Sequence, residues 1–171
     1  MATSSVDLWD AIAEEASAES PLWAEALRPA AERELEPVFS PLGEERWALG
    51  LETIYEGYLL HYGRPRLFAP GDRDTALLLG DYLYAHGLVR IAAHDEVDAV
   101  ADLAALISLC AQLRADERPG DGAVWAASAA FLGAGPLSET HDSAALEAAA
   151  RAAAGDEAVE RALSLHGLRV G

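Results

Sequence analysis

Apolar residues recur with a helical period along most of the chain, and this pattern predicts an all-α fold without a β-sheet. Serine–proline pairs, aspartates and glycines supply the start and stop signals at the ends of the apolar segments. We expect an array of about six to eight helices that forms one domain over residues 1–171. The expected helical segments are 5–17 (capped by Ser4 or Ser5), 21–35 with a kink near Arg28, 41–62, 73–93, 96–115, 124–132, 143–154 and 156–165.

Two pairs of glycines interrupt the third and fourth long segments. Gly50 and Gly57 lie seven residues apart in one segment, and Gly80 and Gly87 are spaced in the same way in the next. Each glycine costs about 1 kcal/mol relative to alanine in a helix interior. Because seven residues bring both members of a pair to the same helix face, the spacing indicates that another backbone comes close there. That backbone belongs either to the core of this chain or to a partner.

Composition narrows the classes of partner. The formal net charge is −17, and all 12 basic residues are arginine. Such a chain repels phosphate backbones and anionic lipid headgroups, which argues against nucleic acid as a partner. The absence of lysine removes Schiff-base chemistry.

The single cysteine and the lack of a leader pattern favour a cytoplasmic protein. Cys110 stands alone in an apolar run, where a buried, unreactive thiol is expected. The acidic N-terminus has neither the basic region nor the apolar region of a signal peptide. The most apolar stretch contains Asp81, His86 and Arg90, so we expect no membrane span.

Metal and cofactor motifs are missing. None of the five histidines belongs to a metalloprotease or zinc-finger spacing, and no phosphate-binding glycine loop occurs. His86 and His94 would lie about 12 Å apart along a helix, too far for one shared ion. Asp95, Asp98 and Asp102 share a face, but acids at a helix start favour the helix dipole, so we expect Asp95 to be a cap rather than a metal ligand. We therefore predict no cofactor.

The densest basic cluster, in an otherwise acidic chain, follows the third long segment. It consists of His61, Tyr62, Arg64 and Arg66. Positive charge is favourable at a helix C-terminus, which is a structural reason for these residues. The same arginines could hold a diphosphate or a partner's carboxylate. Both interpretations stay open from the sequence.

A second group of candidate residues lies in the middle of the fourth segment. Asp81 is surrounded by apolar neighbours, with Tyr82 beside it and His86 further along the segment. An acid in this setting is either exposed, or buried and paired. Its nearest helical neighbour four residues on is Ala85, so a partner would come from another helix.

Three segments together resemble the trans-isoprenyl diphosphate synthase (polyprenyl synthetase) family. The first is ETIYEGYLLHYGRPR, the second ALLLGDYLYAHGLVRIA, and the third AVWAASAAFLGAG. Their order and spacing over residues 47–135 fit the front half of that family. The resemblance implies an isoprenoid-synthase-like helical array. It also implies that the first aspartate-rich motif falls on Tyr62, Gly63 and Arg66, none of which is an acid.

The resemblance implies a non-catalytic accessory or regulatory subunit. Aspartates at those positions would bind the magnesium that grips the allylic diphosphate. Without them, the chain is expected to associate with a catalytic polyprenyl synthase chain, or with itself as a homodimer, through its helices. The alternative hypothesis is an independent binding module for an isoprenoid or another apolar ligand, with Arg64 and Arg66 at the mouth. An enzyme with unfamiliar chemistry at Asp81, His86 or His61 lacks a recognisable nucleophile–base pair.

Overall fold

The structure, a computed structural model, describes residues 5–170 and is all-α, as the residue pattern predicts. Within these residues the only β-type pairing is an isolated antiparallel bridge between Leu27 and Phe68. No helix in this range is long and apolar enough to cross a membrane. The helices are α1 (Ser5–Glu19), α2 (Pro21–Ala26), α3 (Ala48–Tyr62), α4 (Arg73–Ala92), α5 (Val97–Ala115), α6 (Asp121–Ala130), α7 (Pro136–Glu139), α8 (Ser143–Ala154) and α9 (Asp156–Val170).

Helix α3 is the centre of the molecule. Every residue from Gly50 to Leu60 is buried, so no face of this central stretch of the helix meets water. One apolar cluster packs α3 against α5, α6, α8 and α9, and a second packs its end against α1 and α4. Because a helix that is covered on all sides has no polar face, its polar residues must be satisfied inside the protein.

The two glycine pairs face each other across antiparallel helices α3 and α4. A Cβ atom on Gly57 would lie 2.9 Å from the carbonyl oxygen of Gly80, and one on Gly80 would lie 3.1 Å from that of Gly57. Gly87 opposes Gly50 in the same way, at 3.1 Å. The close backbone approach indicated by the spacing is therefore made within this chain, because a side chain at these positions would push the helices apart.

Several helix boundaries agree with the sequence signals. Asp72 caps α4 by accepting a hydrogen bond from the Thr75 amide at 2.8 Å, and Asp142 caps α8 in the same manner. Gly155 ends α8 with φ of 95°, a conformation that favours glycine. Cys110 is buried, and burial raises the pKa of its thiol. The expected cap Ser4 lies outside the described residues.

Other boundaries were predicted wrongly. The helix expected from residue 41 begins at Ala48, because Gly43 is extended and separates two short 3-10 turns, Ser40–Leu42 and Glu45–Trp47. Only a 3-10 turn, Ala30–Glu32, follows the kink near Arg28.

The expected cap role of Asp95 is also wrong. Its φ is 59°, in the left-handed region, and Glu96 occupies the position before α5 without a side-chain bond. Asp102 is buried further along α5 and accepts hydrogen bonds from the amides of Gly133 and Gly135 at 2.7 and 3.1 Å. This carboxylate anchors the loop after α6. It is a structural role that helical periodicity does not reveal.

Candidate functional site

Arg66, the last residue of the predicted basic cluster, lies in the interior of the protein. Its side chain has no exposed surface. The guanidinium donates from Nη1 to Glu52 Oε2 at 2.6 Å and from Nε to Glu56 Oε2 at 3.0 Å. It also lies against the rings of Trp9 and Tyr55, 4.6 and 5.0 Å from their centroids. We call Glu52, Glu56 and Arg66 the Arg66 centre.

The Arg66 centre places two carboxylates against one guanidinium, and backbone amides share the excess negative charge. Glu56 Oε1 accepts from the amides of Arg66 and Leu67, at 2.8 and 2.7 Å. Glu52 Oε1 accepts more weakly from residues 38 and 40, at 3.3 Å each. Burial alone lowers the pKa of Arg66, but the charges of both glutamates outweigh it and raise the pKa. The Arg66 guanidinium therefore stays charged. The centre fixes two loops to α3, one at residues 38–40 and one at residues 66–67.

The other members of the basic cluster lie at the surface or near it. His61 stacks on Tyr84 with ring centroids 5.0 Å apart, and burial lowers its pKa despite the nearby Asp81. Tyr62 is partly buried against the core. Arg64 is exposed and pairs with Glu34 at 3.0 Å. Apart from their closeness along the chain, these side chains do not converge on one pocket.

Asp81 meets the histidine at the end of α3. Its side chain is 70% exposed, and its Oδ1 lies 3.0 Å from His61 Nε2, which makes it an exposed acid with a partner on another helix. The geometry at the ring nitrogen falls outside hydrogen-bond limits, so we interpret the pair as an electrostatic contact.

Tyr82 and His86 lie one turn apart and stack, with centroids 5.4 Å apart. His86 points to Glu15 of α1 and not to the residues at the end of α3. The sequence-predicted candidates are thus divided among four places: the buried Arg66 centre, the His61–Asp81 contact, the exposed Arg64–Glu34 pair, and the α1–α4 contact at His86.

A second polar centre was not predicted. Asp121 Oδ2 accepts hydrogen bonds from Arg114 Nη2 at 2.6 Å, from His166 Nε2 at 3.0 Å and from the hydroxyl of Tyr58. The other ring nitrogen of His166 lies 2.9 Å from the hydroxyl of Tyr55. We call these five residues the Asp121 centre. It joins α3, α5, α6 and α9, and its members lie up to 111 positions apart in sequence.

Electrostatics make the Asp121 centre a set of fixed hydrogen bonds. Burial alone would raise the pKa of Asp121, but hydrogen bonds from His166 and Tyr58 lower it well below its usual range. Burial raises the pKa of both Tyr55 and Tyr58, so the phenols stay protonated at neutral pH and are not nucleophiles. Both rings are 1% exposed. The arrangement resembles a carboxylate–imidazole–hydroxyl relay, but its hydroxyl is closed off from solvent.

No cluster of three or more potential metal ligands occurs among residues that the structure describes. The chain matches no family model, and comparisons with curated proteins and with solved structures found no match. The strongest chemical features of the described residues are the Arg66 centre, the Asp121 centre and the contact of Glu15 on α1 with His86 and Arg90 on α4.

Proposed function

We propose that this protein is a non-catalytic, polyprenyl-synthase-like accessory subunit that acts by helix–helix association with a catalytic chain. The observation that carries the proposal is the use of the loop after α3 for internal contacts. This is the loop where the resemblance would put the aspartates that bind magnesium. In this chain its arginine pairs with two glutamates of α3 instead.

The neighbouring positions support the same proposal. A Cβ atom on Gly63 would lie 2.8 Å from the carbonyl oxygen of Arg169, so an aspartate cannot replace this glycine without moving α9. Tyr62 packs against the core through its ring. Because magnesium requires several oxygen ligands, a loop occupied in this way is unsuited to metal-assisted diphosphate chemistry.

A weakly charged face of α4 and α5 is the surface that we assign to association. Val89 is 64% exposed and Val97 is 79% exposed, one near the end of α4 and one at the start of α5. Asp95, Glu96 and Asp98 lie beside Val97, but beyond Asp98 the exposed side of α5 continues with alanines, Ser108 and Gln112 and carries no further acid before Arg114. Depletion of charge is typical of the centre of a protein interface, and it is unusual in a chain with 29 acidic residues.

The test is reconstitution with a catalytic polyprenyl synthase from the same cell. We expect native mass measurements to show a complex of fixed stoichiometry, and the chain length of the products to change when this protein is added. Val97→Glu should weaken the complex at least tenfold, because a carboxylate would be buried in the interface.

Leu168→Glu is the matched control, since Leu168 is 75% exposed and belongs to α9 rather than to α4 or α5. It should leave the complex intact. A protein that stays alone with every prenyl synthase of the cell, or whose complex responds equally to both substitutions, would contradict the proposal.

The alternative role as a binding module is less well supported. It requires Arg64 and Arg66 at the mouth of a ligand cavity. The Arg66 side chain is fully buried, and its nitrogens already bond to acceptors of this chain.

A further inference from the structure

Helices α1 and α4 meet at a group of three charged or titratable side chains. Glu15 Oε2 lies 2.5 Å from His86 Nε2 and 2.7 Å from Arg90 Nη2. A single carboxylate oxygen thus serves two donors. The three side chains differ in exposure: Glu15 is 50% exposed, His86 29% and Arg90 10%.

Arg90 has donors that nothing in residues 5–170 accepts. Its Nε and Nη1 atoms are buried and lack a hydrogen-bond partner. A buried donor without an acceptor is costly, and a guanidinium is especially so because it carries charge. The one carboxylate oxygen bonded to Nη2 therefore compensates this group incompletely. The two unbonded atoms are buried and would not meet a ligand, but the incompletely compensated positive charge of the guanidinium favours an anion beside Nη2.

The two donors are held in place, whereas the acceptor is not. His86 stacks on Tyr82, and Tyr82 in turn packs on Trp23 of α2, with centroids 5.9 Å apart. Arg90 is fixed by its burial. Glu15 is half exposed, so its side chain can rotate into water without a movement of α1. Rotation would leave His86 Nε2 and Arg90 Nη2 without their shared acceptor.

We infer that His86 and Arg90 form a binding site for a carboxylate or phosphate group, and that Glu15 occupies this site in the free protein. A guanidinium beside an imidazole matches an oxyanion in geometry and charge. The site is independent of the proposed accessory role, because it needs neither a partner chain nor the α5 face. Glu15 acts as an internal competitor for the ligand.

The test removes the competitor. We would titrate the full chain with inorganic phosphate and, separately, with acetate at constant pH and ionic strength, and follow the side-chain signals of His86 and Arg90 by nuclear magnetic resonance. Glu15→Gln should tighten binding about fivefold, the factor expected from loss of a half-exposed ion pair. Glu14→Gln is the matched control, since it removes the same charge from an exposed position of the same helix.

Each outcome decides the proposal. Tighter binding in Glu15→Gln but not in Glu14→Gln supports the site, and a response to phosphate only or to acetate only identifies its ligand class. Addition of Arg90→Gln to Glu15→Gln should abolish the gain, in a protein whose far-ultraviolet circular dichroism shows it to be folded. Equal gains in affinity for the two glutamate variants, or no gain in either, would refute the proposed site. This conclusion would hold whatever the result for Arg90→Gln.

Discussion

The Arg66 centre and the Asp121 centre both include residues of α3, but they differ in how their charged groups are compensated and shielded from water. The Arg66 centre is closed: its three side chains are at most 1% exposed, and it holds more acid than base. The Asp121 centre reaches the surface through Arg114, which is 26% exposed, and it relies on neutral donors as well as charge. The first centre therefore locks the fold, whereas the second can respond to pH.

Tyr55 belongs to the Asp121 centre and also contacts the Arg66 centre. Its ring lies over the guanidinium of Arg66, and its hydroxyl meets His166. Substitutions on either side of this residue therefore test whether the two centres act separately.

The largest effect is expected from Arg66→Met. This change leaves Glu52 and Glu56 buried without a counter-charge, so the free energy of unfolding should fall by about 3–5 kcal/mol. Urea unfolding followed by circular dichroism measures it. Adding Glu52→Gln and Glu56→Gln to Arg66→Met should restore much of the loss, because the buried charges disappear together. A loss of less than about 1 kcal/mol in Arg66→Met would mean that the centre does not lock the fold.

A smaller and pH-dependent effect is expected from Asp121→Asn. At pH 7 the variant should lose about 1–3 kcal/mol, because Arg114 and His166 lose a charged acceptor. The pKa of Asp121 is lowered in the folded protein. Its contribution is therefore complete above the ordinary carboxyl value of about 4 and is lost as pH falls towards the folded pKa.

Unfolding of the wild type and Asp121→Asn, compared between pH 3 and pH 7, checks this sign. The difference in stability should shrink as the solution becomes acidic. A difference that stays constant over this range would show that the charge of Asp121 contributes nothing.

The smallest effect is expected from Tyr55→Phe, which tests whether the two centres are energetically independent. Tyr55→Phe keeps the ring over Arg66 and removes only the hydroxyl that meets His166, so a loss of about 1 kcal/mol is expected. In the Asp121→Asn background the same change should cost less, because the two residues share His166. In the Arg66→Met background its cost should be unchanged. A double-mutant cycle measures both couplings, and equal coupling to the two centres would refute their independence.

The fold was largely predictable because helix signals are local. Asp72, Asp142 and Gly155 act within one turn of the chain, so sequence alone identifies them. The equal spacing of Gly50–Gly57 and Gly80–Gly87 indicated a close approach, although only the structure shows that each pair faces the other.

The polar centres could not be predicted, because acids in the same local sequence setting differ in burial and in hydrogen-bond partners. Asp98 and Asp121 both lie in the first turn of a helix, yet Asp98 is exposed and Asp121 bonds to residues of three other helices. The same holds for Arg66. Glu52 and Glu56 lie one turn apart on α3, a spacing that is equally typical of a solvent-exposed helix face, so their burial against an internal cation is visible only in the structure.

The burial of α3 on every side has a consequence for the newly made chain. The hydroxyl of Tyr55 bonds to His166, which the ribosome adds 111 residues later. Until α9 emerges, the aromatic face of α3 is open to the surroundings, and such faces attract chaperones or other nascent chains. Slowing translation between α6 and α9 should therefore lengthen the interval in which this protein is vulnerable to aggregation.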